Sequence, residues 1–275
     1  MPKEKKAAQT KNMIIDCHTH IYPAKIAEKA TVAIGEFYKM PMAASIGTGE
    51  MLIENGKKAG VEKYLVCSVA TIPAQTRSIN SFIKSEVDVH PEFFGFGAYH
   101  QDNEPIEEIE NIKSLGLRGI KIHPDFQKCN IDDPKFYKLY DVLEDNLPIL
   151  MHMGDNRFDY SHPARLSKVL NDFPKLRVIA AHLGGYQAWG DAVNLLNKFV
   201  KKGNIRFDEC SSLAILEPKK AREIIRTYGA ENVFFGSDFP MWSHIEELKL
   251  LEKLELTSDE LEWIHWRSAT EFFGL

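Results

Sequence analysis

Nowhere in this 275-residue chain do apolar residues run for the roughly 18 to 20 positions that a bilayer-crossing helix requires, so no membrane span is expected. Cysteine is sparse. The four residues, Cys17, Cys67, Cys129 and Cys210, include no Cys-x-x-Cys pair, and three fall in predicted strands or at their ends, where a free thiol behaves as a small hydrophobe. A reducing cytoplasm is therefore the expected compartment. The chain also lacks a concentrated block of one charge outside its basic N-terminal tail, and its formal net charge is only -5, which argues against nucleic acid as the main partner. Low-complexity segments are missing too. The first twelve residues are polar and basic, without the apolar centre of a secretory signal, and are read as an extension ahead of a folded domain over 13–275.

What is present is an alternation of two periodicities. Met13 to His20 starts with three apolar residues suited to a buried strand and continues through Asp16, His18 and His20, whose alternate positions put them on one face of an extended chain. Pro23 to Met40 then has helical composition, with Ile26, Ala30, Ala33, Ile34 and Phe37 forming one apolar side. A second helix is expected from Thr48, its cap, to Lys58, with Gly60 as its stop.

Strands are then expected at Val61 to Ala70, Phe93 to Tyr99, Leu117 to Ile122, Leu147 to His152, Leu176 to His182, Asn204 to Asp208 and Val233 to Asp238. Between them lie helices such as Gln75 to Val89, Pro105 to Leu115, Pro134 to Asn146, Pro163 to Asp172, Gln187 to Lys202 and Pro218 to Tyr228. Ser243 to Leu275 reads as helical, with a break near Leu256 to Thr257 and Ser258 as the cap of the last helix. Eight such units with short connections favour a single (β/α)8 TIM barrel of the α/β class, although an open parallel sheet shares the same alternation.

Chemistry collects at the ends of these strands. The first ends in His18 and His20, the fourth in Lys121 and His123, the fifth in His152, the sixth in His182 and the eighth in Asp238. In a parallel barrel all of these ends meet at the C-terminal mouth, where active sites of this architecture lie. Neutral imidazole is a ready ligand for zinc and similar ions, and two from one strand need partners from elsewhere. A single buried histidine is more often a hydrogen-bonded core residue, and Asp238 alone could cap a loop, but the joint pattern favours a metal site. His90, His100, His162, His244 and His265 fall in predicted loops or helices and receive no role.

Together, Asp16-x-His18-x-His20, Lys121-Ile-His123-Pro124, His152-x-Gly154, His182-Leu-Gly-Gly and Gly236-Ser-Asp238-x-Pro240 resemble the amidohydrolase superfamily. The resemblance is strongest to its amidohydrolase-related branch, which holds small metal-dependent hydrolases and decarboxylases similar to aminocarboxymuconate-semialdehyde decarboxylase. It implies that His18, His20, His152 and Asp238 hold one divalent ion, with zinc preferred over manganese, and that metal-bound hydroxide attacks a small amide, ester or lactone. It further implies that Asp238 takes the water's proton and that His182 acts as general acid/base or holds the polarised oxygen of the substrate.

Lys121 leaves two arrangements open. Unmodified, it binds an anionic substrate group or an acidic neighbour; carboxylated, as in relatives such as dihydroorotase, it bridges two metals, with His152 and His182 on the second and His123 lining the substrate. The branch favours one metal. Arg157, in an aromatic loop after the fifth strand, offers a fork of donors for a carboxylate-bearing substrate, or else a solvated surface charge. Trp189 and Trp242 wall the pocket or belong to the core. The alternatives to hydrolysis are non-oxidative decarboxylation of a small aromatic or unsaturated acid, and a barrel that only binds a ligand. A homodimer is compatible with this type of barrel.

Overall fold

The apolar residues ahead of the His-x-His motif form β1 (Ile14–His20), in a computed structural model that describes residues 13–144 and 146–275. The reading of 1–12 as an extension therefore lies outside the described residues. Parallel pairing continues from β1 through β2 (Val61–Cys67) to β3 (Phe93–Gly95), and from β4 (Gly97–Ala98) through β5 (Ile120–Ile122), β6 (Ile149–Met151), β7 (Val178–Ala180) and β8 (Ile205–Asp208) to β9 (Val233–Phe234). β3 and β4 are halves of one stave, interrupted at Phe96. The Phe96 amide still donates to Val66 O at 3.0 Å, and that of Gly97 to Gly119 O at 2.9 Å.

Eight staves result, as the alternation predicts. The chain beyond β9 runs back along β1, where Cys17 N donates to Phe235 O at 2.8 Å, Asp238 N to His18 O at 2.8 Å and His20 N to Phe239 O at 2.7 Å. These bonds join the last stave to the first and hold Asp238 beside the histidine strand.

Local chemistry explains the helix limits. Thr48 caps α2 (Gly49–Ala59) by accepting from Met51 N, and Gly60 ends it at φ 80°, a conformation glycine reaches without penalty. The helices Pro163–Asp172 and Pro218–Tyr228 begin at prolines, whose missing N–H is unused in a first turn. One boundary differs from expectation. The cap before Ser258–Glu262 is Thr257, because its hydroxyl accepts from Glu260 N while the Glu260 carboxylate reaches back to Thr257 N. Most staves are shorter than the sequence suggests, since the residues at their ends turn out of the ladder to serve the mouth. No helix among the described residues is long and apolar enough to cross a membrane.

Two apolar layers hold the barrel. Inside, Ile15, Cys17, Leu65, Phe94, Phe96, Leu150, Ile179 and Phe234 pack together, with Ala269, Phe272 and Phe273 of the C-terminal helix against them. Arg118 and Arg177, just ahead of β5 and β7, donate to the Phe273 and Phe272 carbonyls, so that helix sits across the N-terminal end of the barrel. A larger cluster lies between the strands and the outer helices. All four cysteines are buried and free.

A polar fault lies behind β9. Glu209 and Glu247 are fully buried, and neither Glu247 oxygen has a hydrogen-bond partner. Burial is the main cause that pushes both carboxyls well above the ordinary range; next in size, the charge of Glu247 acts on Glu209 and that of Asp238 on Glu247. Above pH ~4.3 the unfolded chain ionises these groups while the fold holds them neutral, so stability falls as pH rises. Glu247→Gln is expected to stabilise the protein by about 1–3 kcal/mol at pH 8 and by less at pH 5. Urea denaturation at both values measures the difference, and an equal or opposite gap would contradict this account.

Candidate metal centre at the mouth of the barrel

His18 and His20 reach the mouth through an irregularity in β1. The pairing with β2 shifts register between Asp16 and Thr19, and a bulge of this kind re-aims the side chains that follow it. Asp16 consequently does a different job from the histidines with which it shares parity. Its carboxylate accepts from His18 N at 3.0 Å and Ser237 N at 3.1 Å and lies 2.9 Å from His244 Nε2, fastening β1 to the turn that carries Asp238. His244, given no role from sequence, is part of that fastening.

Three donor atoms converge. Asp238 Oδ1 lies 3.6 Å from His18 Nε2 and 3.4 Å from His20 Nε2, while Asp238 Oδ2 accepts from the Ser211 hydroxyl at 2.7 Å. Trp242 Nε1 donates to that same hydroxyl at 2.9 Å, so Trp242 supports the carboxylate from behind. On the far side of His18, Nδ1 meets Asp208 Oδ2 at 3.0 Å. A carboxylate there fixes the tautomer that leaves Nε2 as a lone pair, the usual backing of a metal-binding histidine. Burial works to raise the Asp208 carboxyl, but His18 outweighs it and holds the group at about 2.

Asp208 and its companions were missed in the sequence, although the signal was available. It ends the seventh stave, as the recognised residues end theirs.

His152 and His182 form a second row. His182 Nδ1 lies 3.0 Å from Cys210 O, His182 Nε2 lies 3.0 Å from His152 Nδ1, and His152 Nε2 lies 3.2 Å from Asp125 Oδ2. Burial first, and then the charge of His152, lower His182 to about 3, so it is neutral at physiological pH. His152 Nε2 itself makes no hydrogen bond, which leaves that buried nitrogen open to a ligand. The two groups adjoin, with the His18 and His182 rings stacked at 5.4 Å between centroids.

Of the four residues expected to hold the ion, His18, His20 and Asp238 present ligand atoms within 4.8 Å of one another. His152 stands in a neighbouring set with His123 and Asp125, and a further set joins His18, His182, Asp208 and Cys210. Nitrogen and oxygen donors of this kind, with a lone pair of His18 fixed from behind, fit a divalent ion of the zinc or manganese type.

Lys121 is buried, with Nζ 2.8 Å from His18 Nε2. His123 stacks between Phe126 and His152 and meets the Tyr38 hydroxyl through Nε2 at 2.9 Å. Arg157 sits elsewhere: its guanidinium pairs with Asp155 at 2.6 Å, donates to Phe37 O at 2.6 Å and lies over the Phe37 ring, outside the lining of the chamber. Trp189 donates to His182 O at 3.0 Å, again from behind.

Backbone conformation marks the same place. His182, Ser211 and Asp238 have φ of 60°, 58° and 51°, left-handed values that cost non-glycine residues on the order of 1–3 kcal/mol and cluster at functional sites. Gly154 has φ 84°, and a Cβ there would stand 2.4 Å from the Tyr186 backbone, so only glycine lets the loop after β6 cross so close to the turn after β7. Above the polar floor opens a chamber of about 680 Å³, lined by His18, His20, Lys121, His123, His152, His182, Asp238 and a largely apolar wall.

Residues 15–275 match the family model described as amidohydrolase. No curated protein matches the chain. Solved structures do match. An uncharacterised TIM-barrel protein, Bb4693 of Bordetella bronchiseptica, is 20% identical with a TM-score of 0.79, over 95% of this chain and 98% of that one. A dihydroxybenzoic acid decarboxylase from a Polaromonas species, with bound manganese and 2-nitroresorcinol, is 14% identical with a TM-score of 0.73, over 96% and 97%. A probable 2-pyrone-4,6-dicarboxylic acid hydrolase from Acinetobacter baumannii, with bound citric acid, is 17% identical with a TM-score of 0.69, over 95% and 99%. At these identities the likeness is one of fold.

Proposed function

The chain belongs to the amidohydrolase family, and from that premise we propose that it is a metal-dependent hydrolase of a small amide, ester or lactone, with His18, His20, His152 and Asp238 holding one ion, preferentially zinc. The carrying observation is the double engagement of Asp238, whose Oδ1 faces both histidines while Ser211 restrains Oδ2. A divalent ion bound there supplies Lewis acidity, polarising a carbonyl and lowering the pKa of water from 15.7 towards ~7.

The chain's own groups do the rest. Asp238 accepts the proton of the attacking water and returns it to the leaving nitrogen or oxygen. His182, with Nδ1 3.0 Å from Cys210 O and Nε2 3.0 Å from His152 Nδ1, stands beside that proton path as a general acid/base or as the group that holds the polarised oxygen of the substrate. Lys121 and His123 line the floor where the substrate oxygen and its neighbours lie. The apolar wall excludes bulk water and suits a neutral acyl compound.

Decarboxylation is the second reading, and the Lys121 ammonium supports it, since a buried cation at the floor is a place for a substrate carboxylate. Metal analysis followed by turnover of lactones, N-acyl amino acids and hydroxybenzoates separates the two. One ion per chain, and transfer of labelled oxygen from water into the product acid, are expected. Carbon dioxide release with no label transfer replaces the hydrolase by the decarboxylase. Two ions per chain indicate carboxylated Lys121 as a bridge.

A further inference from the structure

The apolar stripe of α1 (Ala24–Tyr38) does not face the barrel core. Only Ala27 and Thr31 of its fifteen residues are buried. Ile26, Ala30, Ile34 and Phe37, successive members of one helical face, instead line the chamber over the histidines. Ile79 and Phe82, from the helix Thr76–Val89, supply further apolar lining. Apart from the floor, Lys25 is the one charged residue lining the chamber among the described residues, and it is exposed.

Size narrows the occupant. A cavity of ~150 Å³ accepts benzene, whereas this chamber holds about 680 Å³. A single-ring acid would leave most of the wall facing water, an unfavourable state for an apolar surface continuous with the active site. Four of the six wall residues named are aliphatic, which suits a flexible hydrocarbon better than a stacked ring.

Resting on the hydrolytic reading above, we propose that the chamber holds the acyl part of the substrate, a medium-length aliphatic chain whose amide, ester or lactone carbonyl lies at the histidine floor. Water adds to that carbonyl, the carbon–nitrogen or carbon–oxygen bond breaks, and the proton from water goes to the departing amine or alcohol. The products are the alkanoic acid and that amine or alcohol, or, from a lactone, a single hydroxy acid that carries both groups.

Calorimetric binding of acetate, butanoate, hexanoate and octanoate to the metal-loaded protein reads the chamber without turnover. Affinity is expected to rise about fourfold for each added methylene. Ala30→Trp, which fills the chamber from α1, flattens that rise, and Ile34→Asn, which keeps the volume but makes the wall polar, reduces it. Equal affinity for acetate and octanoate in the unaltered protein overturns the proposal, as does an undiminished slope in both variants. Failure of the two readings is distinguishable. A steep slope without hydrolysis of octanoyl amides or esters rejects the hydrolase and leaves the chamber, while hydrolysis of acetyl compounds with a flat slope rejects only the chamber.

Discussion

Asp238→Asn is expected to lower kcat by about 10²–10⁴-fold, the usual contribution of a positioned general base. The substitution is nearly isosteric, and an amide oxygen can still accept from Ser211, so the turn after β9 keeps its anchor. Asn also tolerates the left-handed backbone that Asp238 adopts at φ 51°. What disappears is the charge facing His18 and His20 and the capacity to take a proton. Weaker metal retention is expected in parallel, so kcat is compared at saturating metal, with occupancy measured on the same samples. A variant that turns over within tenfold of the parent at full occupancy would remove Asp238 from the chemistry and leave it only a ligand.

Asp16→Ala is expected to destabilise the protein by about 3–5 kcal/mol, because it strands several buried hydrogen-bonding groups at once, each costing about 1–3 kcal/mol when left unpaired. Asp16 and His244 are both fully buried, and the same carboxylate also satisfies the His18 and Ser237 amides. Ala leaves two backbone donors and an imidazole without that acceptor in a site that cannot collapse onto them. For a domain whose total stability is typically ~5–15 kcal/mol, the loss is a large fraction. Chemical denaturation gives the value directly, and Asp16→Asn, which restores an acceptor, should recover part of it. A loss below ~1 kcal/mol would show that Asp16 is not what fastens β1 to the Asp238 turn.

His18, His20 and Asp238 were legible as a group because each ends a strand, and a parallel barrel sends every strand end to the same rim. Asp208 obeyed that rule too, at the end of β8, but it stands in a stretch whose neighbours, Glu209 and Cys210, blur the signal. Tyr38 could not be read this way. It sits at the end of a helix, and only the folding of α1 across the mouth brings its hydroxyl to His123.

The sequence by itself determined the alternation of strand and helix, the Thr48 and Gly60 limits of α2 and the presence of imidazoles and a carboxylate at the stave ends, because these depend on residues a few positions apart. The tertiary structure decided which nitrogen of His18 is backed by Asp208, that His152 pairs with His182, and that the stripe of α1 faces a chamber. Periodicity records that one side of a helix is apolar. It carries no information about what lies opposite, since that depends on how distant segments pack.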